Sequence, residues 1–379
     1  MTVMRVYADN AATTKLDLEA YEAMKPWLLD EYGNASQSYS FSRKPKAALK
    51  EARETIAKCI NASSEEIYFT SGGTESDNWA IKGTALARSR EGALITSAFE
   101  HHAILRSAEA IEMQRYPVAY MWPSKEGFIT PEILTRYISD ETQMVSVMMA
   151  NNELGTVQPI RELCQIAHNH NAIFHTDAVQ AVGHIPIDVN ESGLDLLSAS
   201  AHKFNGPRGV GFLYIRKGIK IEPYLNGGGQ ERNWRAGTEN TAGIVGMAVA
   251  LKNNSLNMAA ITDHVHNLEK QLLDGLNALG ITYTRNGAEP YLPGLISLSF
   301  PKRDGEALLH RLDLMGIEVS TGAACDSKKT EVSHVLSAIR LDECLAKGTI
   351  RISLGKHNTK EEVDEIIRAL SVVLGNYRS

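Results

Sequence analysis

The chain has 379 residues, enough for two domains and a large core, and its 43% hydrophobic and 22% charged content is ordinary for a soluble globular enzyme. A net charge of −6, from 39 basic against 45 acidic residues, argues against bulk binding to nucleic acid or to an anionic membrane surface. The N-terminus lacks a continuous apolar signal core, and no run approaches the ~20 apolar residues of a membrane span. Four widely spaced cysteines without a Cys-x-x-Cys pair predict free thiols, no structural metal and a reducing, cytoplasmic setting.

In chain order, an amphipathic stretch over 46–59 predicts a packing helix. From about 65 to 215 short β-rich runs alternate with helix-like segments, which predicts an α/β domain with a mainly parallel sheet. The legible strands are 66–70, 93–97, 144–149, 172–175, 194–199 and 210–215. Ligands of such sheets gather outside the carboxyl ends of the strands, so each end is a place to look for chemistry.

After the first of these strands, Ser71-Gly72-Gly73-Thr74 opens a helix. Glycines let backbone approach a ligand, and helix amides with the Thr74 hydroxyl suit a phosphate; a plain glycine turn capped by Thr74 is the alternative. No P-loop or dinucleotide fingerprint follows a strand. The second strand ends near Glu100-His101-His102, where an imidazole can stack on a flat cofactor and carry a proton, or simply cap a helix. The third leads to Asn151-Asn152, amides suited to a phenolic oxygen or to an Asx-turn. Asp177 follows the fourth, with Gln180 close behind. A carboxylate at a buried strand end needs a cation, either a pyridinium nitrogen or an arginine. The fifth ends in Ser200-Ala201-His202-Lys203. A lysine held there can lose its proton and form a Schiff base with a carbonyl cofactor.

Composition shifts near 251–254, and a long helix follows to about 279. Strands over 295–300, 317–320 and 349–354 and helices over 304–315 and 359–374 then predict a smaller α+β domain. Thr359 and Glu362 have the spacing of a capping box. The expected division is 15–253 for the large domain, with 1–14 and 254–379 forming the small one.

These strand-end segments occur together with Tyr7–Thr14, Gly227–Arg232, Gly237–Asn240, Ser333–Leu336 and Ile350–Gly355. In that order they resemble the cysteine desulfurases of the class V aminotransferase group, pyridoxal 5′-phosphate (PLP) enzymes of fold type I. The resemblance implies a mainly parallel seven-stranded sheet between helices plus a smaller α+β domain. It implies PLP as cofactor, with Lys203 as the Schiff-base lysine, Asp177 on the ring nitrogen and Asn152 and Gln180 on the ring-hydroxyl side. His101 would stack on the ring as acid/base, and Gly73, Thr74, Ser200 and His202 would hold the phosphate. Thr238 would reach the phosphate across a homodimer interface, and Asn34 with Arg351 would clamp the carboxylate of L-cysteine.

Cys325 sits among small residues before it and polar ones after it, and reads as the sulfur-carrying thiol of an exposed loop, about 321–332. Cys164 and His168, one helical turn apart, read as helix packing. Around Cys325 the chain departs from the usual Ser/Gly-rich run, having Asp326-Ser327-Lys328-Lys329 instead. That departure bears on which sulfur-acceptor protein is recognised, in iron–sulfur cluster assembly or another thio-pathway. The expected reaction converts L-cysteine to L-alanine and leaves a persulfide on Cys325. Selenocysteine cleavage and a non-catalytic sulfur-transfer scaffold are the alternatives.

Overall fold

A computed structural model of the chain describes residues 5–88, 92–322 and 332–375. Its strands are β1 (Val6–Tyr7), β2 (Ile67–Thr70), β3 (Ala93–Ser97), β4 (Val118–Met121), β5 (Thr142–Ser146), β6 (Ile173–Asp177), β7 (Leu196–Ser200), β8 (Gly211–Ile215), β9 (Thr284–Arg285), β10 (Leu295–Ser299), β11 (Ile317–Glu318) and β12 (Thr349–Ser353). Four early helices are α1 (Leu18–Leu29), α2 (Arg43–Cys59), α3 (Gly73–Ala87) and α4 (His102–Glu112).

Among the described residues the largest sheet has seven strands in the order β2-β8-β7-β6-β5-β3-β4. Only β8 runs against its neighbours. Strands covered on both faces must be apolar throughout, and β2, β7 and β8 are buried at every residue. Period-2 alternation sends Phe69, Phe174 and Phe212 into one core and Tyr68, Leu196 and Leu213 into the other. Against the first, α2 buries Ala48, Leu49, Ala52 and Ile56 at three-to-four spacing.

A third core surrounds the antiparallel pair β10 and β12, with Ile296, Leu298, Ile350 and Ile352 at its centre. The helix Lys360–Val373 covers it, started by the predicted capping box: the Glu362 amide donates to Thr359 Oγ1 (3.3 Å) and the Thr359 amide to Glu362 Oε2 (3.0 Å). β1 pairs in parallel with β11. The chain then crosses to the large sheet, where the Thr14 amide donates to the His202 carbonyl at 2.9 Å.

The short strands β1 and β9 were not expected, β11 is shorter than the expected 317–320, and two elements of the large sheet also differ. β4, a short edge strand beside β3, carries too little alternation to announce itself. β5 stops at Ser146, yet Val147 and Met149 still donate to the carbonyls of His175 and Asp177 (3.1 and 2.9 Å), so the chain follows β6 as single hydrogen bonds up to the site.

Candidate active site

The carboxyl ends of β2, β3, β5, β6 and β7 open on one cavity of about 700 Å³. Of the residues singled out from the sequence, Gly73, Thr74, His101, Asn152, Asp177, Gln180, Ser200, His202, Lys203 and Arg351 line it. Asn34 and Thr238 do not. They lie on neighbouring surface segments, joined where Ser36 Oγ donates to Glu239 Oε1 at 3.4 Å. Cys325, and with it Asp326-Ser327-Lys328-Lys329, lies outside the described residues.

At one end of the cavity is the start of α3. Gly72 has φ +146°, a conformation open only to glycine, and no side chain caps the helix. The amides of its first turn therefore face the cavity with the positive end of the helix dipole, an arrangement suited to a phosphate. The Thr74 side chain and Ser200, at the end of β7, stand beside them.

Lys203 lies three residues past β7, in a single 3₁₀ turn. Its Nζ donates to the carbonyls of Ala11 (2.5 Å) and Ala12 (2.9 Å), which the N-terminal segment lays across the cavity. Gln180 Nε2 donates to the same Ala11 carbonyl at 2.9 Å.

Asp177 and Asp77 cluster with His101, their side-chain polar atoms within 4.8 Å of one another. Asp77 Oδ1 is buried without a hydrogen-bond partner. His175 does not supply one, because its Nδ1 and Nε2 are engaged by Ser146 and Ser198 (2.9 and 3.0 Å) and burial pushes its pKa down to about 3. Burial raises both aspartates, and the Asp177 charge pushes Asp77 up further. Asp177 is pushed up to about 6 by that burial, against the pull of the Val179 amide and the Lys203 charge.

His101 caps α4, its Nδ1 accepting from the Ala103 amide at 3.1 Å, so in the neutral ring the proton is on Nε2. Burial first, then the charges of Lys203 and His102, push it down to about 4. The two asparagines divide the roles expected of them. Asn151 Oδ1 accepts from the amides of Glu153 and Leu154 (both 2.9 Å) in an Asx-turn, whereas Asn152 faces the cavity with a buried, unpartnered Oδ1.

Arg351, on β12, donates to Asp9 Oδ1 (2.6 Å) and to the Asn152 carbonyl (2.8 Å), while its Nε is buried without a hydrogen-bond partner. Asp77, Asp9 and Glu153 were not singled out from the sequence, although all three fall inside its motif segments. Only the fold shows that their side chains turn toward this cavity.

These residues fit PLP. An uncapped helix start meets a phosphate, a lysine amine meets a carbonyl group, and a buried acid pair with one unpartnered oxygen meets a pyridinium nitrogen. Cys164 carries no such chemistry. Its Sγ donates to the Gly193 carbonyl at 3.1 Å, and burial pushes the thiol up to about 12.

The Aminotransferase class-V family profile matches residues 6–366. The chain is 48% identical over 383 residues to a cysteine desulfurase, IscS, of Dictyoglomus turgidum, covering 99% of this chain and 95% of that one. Among solved structures it is similar to a NifS-like protein, with a TM-score of 0.93 and 38% identity, covering 99% of this chain and 100% of the other. A structure of SspA in complex with cysteine has a TM-score of 0.83 and 34% identity, covering 94% and 100%.

Proposed function

The chain belongs to the aminotransferase class-V family and is a PLP-dependent cysteine desulfurase; from that premise we propose which of its residues convert L-cysteine to L-alanine and receive the sulfur. The observation that carries the assignment is the convergence of Lys203 Nζ, the Asp77–Asp177 pair and the start of α3 on one cavity.

Gly73 and Thr74, with Ser200 and His202, would hold the cofactor phosphate; Lys203 would hold its carbonyl carbon and Asp177 its ring nitrogen, all of them residues that line the cavity. Bound there, PLP supplies an electron sink for the bonds broken at the substrate Cα and Cβ. Asp177, once facing a cation, stays ionised and keeps the ring nitrogen protonated. Asn152 and Gln180 bond the ring-hydroxyl side. His101 packs on the ring face, and its neutral state makes Nε2–H a donor toward the reacting atoms.

Arg351 takes the substrate carboxylate, for which its buried Nε is open and its planar fork well shaped. Lys203 Nζ takes the Cα proton and returns a proton to the product. The Cys325 thiolate receives the substrate sulfur. L-cysteine and a protein thiol give L-alanine and a protein persulfide, a balance that needs no outside oxidant. The persulfide then passes to an acceptor protein.

We further infer a homodimer. Leu28, Leu29 and Tyr32 leave 58%, 74% and 72% of their surface exposed beside Asn34. Exposed aromatic and aliphatic groups in one patch mark an interaction surface. A second copy seated there would bring its Thr238 toward the phosphate end of this cavity. No helix among the described residues is long and apolar enough to cross a membrane. A cytoplasmic setting suits the free thiols.

Mass spectrometry after one turnover with L-cysteine tests the assignment. Cys325 is expected to gain one sulfur while Cys59, Cys164 and Cys344 do not. Cys325→Ala should keep the cofactor's visible band and lose sulfide release, whereas Lys203→Ala should lose the band itself. Full desulfuration by Cys325→Ala would remove Cys325 from the reaction.

A further inference from the structure

Glu153 has no part in the assignment above, yet its carboxylate lies where two separate stretches of chain meet. One stretch arrives along 320–322. Ser320 is laid on β12 by a reciprocal backbone pair with Arg351 (3.0 and 2.6 Å). Two residues later Gly322 packs so closely on Glu153 that an added Cβ would lie 2.0 Å from its Oε2. The other stretch leaves along 332–334. There Ser333 Oγ donates to the same Oε2 at 2.6 Å and accepts from the Val335 amide at 3.1 Å, fixing the start of the helix His334–Ala338. His334 Nε2 adds a bond to the Glu100 carbonyl at 2.9 Å.

Glu153 is itself held in place. It follows Asn151, whose Asx-turn takes the Glu153 amide, and Asn152, whose carbonyl accepts from Arg351. The carboxylate is 4% exposed and carries a strong hydrogen bond from Ser333. Burial pushes it up to about 7, opposed by the Ser333 hydroxyl and the Arg351 charge. A buried carboxyl is costly to keep. Here it accepts a bond from one stretch, 180 residues away, and packs closely against the other, and no apolar side chain could accept that bond.

The position of Gly322 and Ser333 in the sequence gives the arrangement its meaning. Cys325 is three residues past Gly322 and eight before Ser333. We propose that Glu153 is a positioning residue for sulfur transfer: it pins both stems of the segment carrying Cys325 to the Arg351 wall of the cavity. The inference rests on Cys325 being the sulfur carrier. It assigns Glu153 a role in presenting the thiol, and none in binding cofactor or cysteine. Gly322 belongs to the same device, because any side chain there would displace the carboxylate from Ser333.

The test uses holoenzyme and two separate readings: cysteine binding from the change in the cofactor's visible band, and the single-turnover rate at which Cys325 gains one sulfur. Wild-type enzyme must first show the added sulfur on Cys325; if it does not, the carrier assignment has failed and not the role of Glu153. Ser333→Ala, a small change, is expected to slow sulfur gain about tenfold, the size of one hydrogen bond to a charged group, with cysteine binding changed less than twofold. Glu153→Ala should slow it at least as much. Glu153→Gln retains an acceptor and should recover to within about threefold of wild type. Because both groups act through one bond, the double variant Glu153→Ala/Ser333→Ala should be no slower than Glu153→Ala alone. A Ser333→Ala rate equal to wild type, fully additive losses, a Glu153→Gln loss as deep as that of alanine, or an equal loss in cysteine binding would each overturn the proposal.

Discussion

The two walls of the cavity are built on opposite principles. The Asp177 wall comes from the interior of one sheet: β6 delivers Asp177, β7 leads to Lys203, and the start of α3 follows β2. Its acids outweigh its one lysine, since Asp77 and Asp177 lie close together, Asp77 Oδ1 is buried without a hydrogen-bond partner, and the Lys203 charge only partly offsets the burial of Asp177. The Arg351 wall is gathered from distant stretches, Asp9, Asn152–Glu153, Ser320–Gly322, Ser333 and β12. Its charges are already matched, with Arg351 bonded to Asp9 at 2.6 Å. A wall that carries an unmet charge is completed by the group that binds it. On this wall a substrate carboxylate meets an arginine that already holds one carboxylate, so it takes the open Nε and competes with Asp9 for the rest of the fork. This difference suits a cofactor that stays and a substrate that leaves.

The largest effect is expected where a charge depends on the bound group. Asp177→Ala leaves a buried pyridinium without its partner, and breaking a buried pair costs about 3–5 kcal/mol. The expected loss in kcat/KM is roughly 10²–10⁴-fold. Without cofactor the sign reverses: Asp177→Asn removes one of two mutually repelling carboxyls, so the apoprotein should unfold at a higher temperature than wild type. If apo and holo forms shift in the same direction, the Asp177 wall is not waiting for a cation. On the other wall Arg351→Lys keeps the charge and loses the planar fork. KM for L-cysteine should rise about tenfold, with the cofactor band in place. An equal loss of cofactor would merge the two walls into one unit.

The same contrast governs how much the sequence told. The Asp177 wall was legible because each of its groups sits just past a strand that reads as a strand, whatever the order in which the strands lie in the sheet. Lys203, Asp177, His101 and Thr74 could be placed on that basis. The capping box at Thr359 was legible for the same reason, being local. Asn151 and Asn152 were read as one pair, and only their backbone directions separate turn from cavity. On the other wall only Arg351 and Asn152 were named, Arg351 through family resemblance alone, and Asn34, named with Arg351, does not line the cavity. Asp9 and Glu153 act across 342 and 180 residues respectively, a separation that no spacing along the chain encodes. β4 escaped notice because an edge strand of four residues shows neither alternation nor an apolar run long enough to stand out.

A final, smaller effect separates the buried acids from the buried histidines. His101, His202 and His175 are pushed down to about 4, 4 and 3 by burial, so the folded chain holds fewer protons than the unfolded chain below pH 6.5. Acidification through that range therefore destabilises it through these groups. Asp177, Glu153 and Glu100 are raised to about 6, 7 and 8, so their stabilising contribution is full at low pH and is lost as pH rises through those values. The two sets oppose each other below pH 6.5, and above it only the acids still act. Glu100 extends furthest. Its Oε1 accepts from the Ser97 hydroxyl (2.5 Å) and the Met148 amide (2.9 Å), and its Oε2 is buried without a hydrogen-bond partner. Glutamine at this position retains the acceptor and mimics the protonated form. Apoprotein stability, followed by urea unfolding between pH 6.5 and 8, should fall in wild type and fall distinctly less in Glu100→Gln. Parallel curves would mean that Glu100 is ionised throughout, and that the floor beneath His101 tolerates a charge without a cation to meet it.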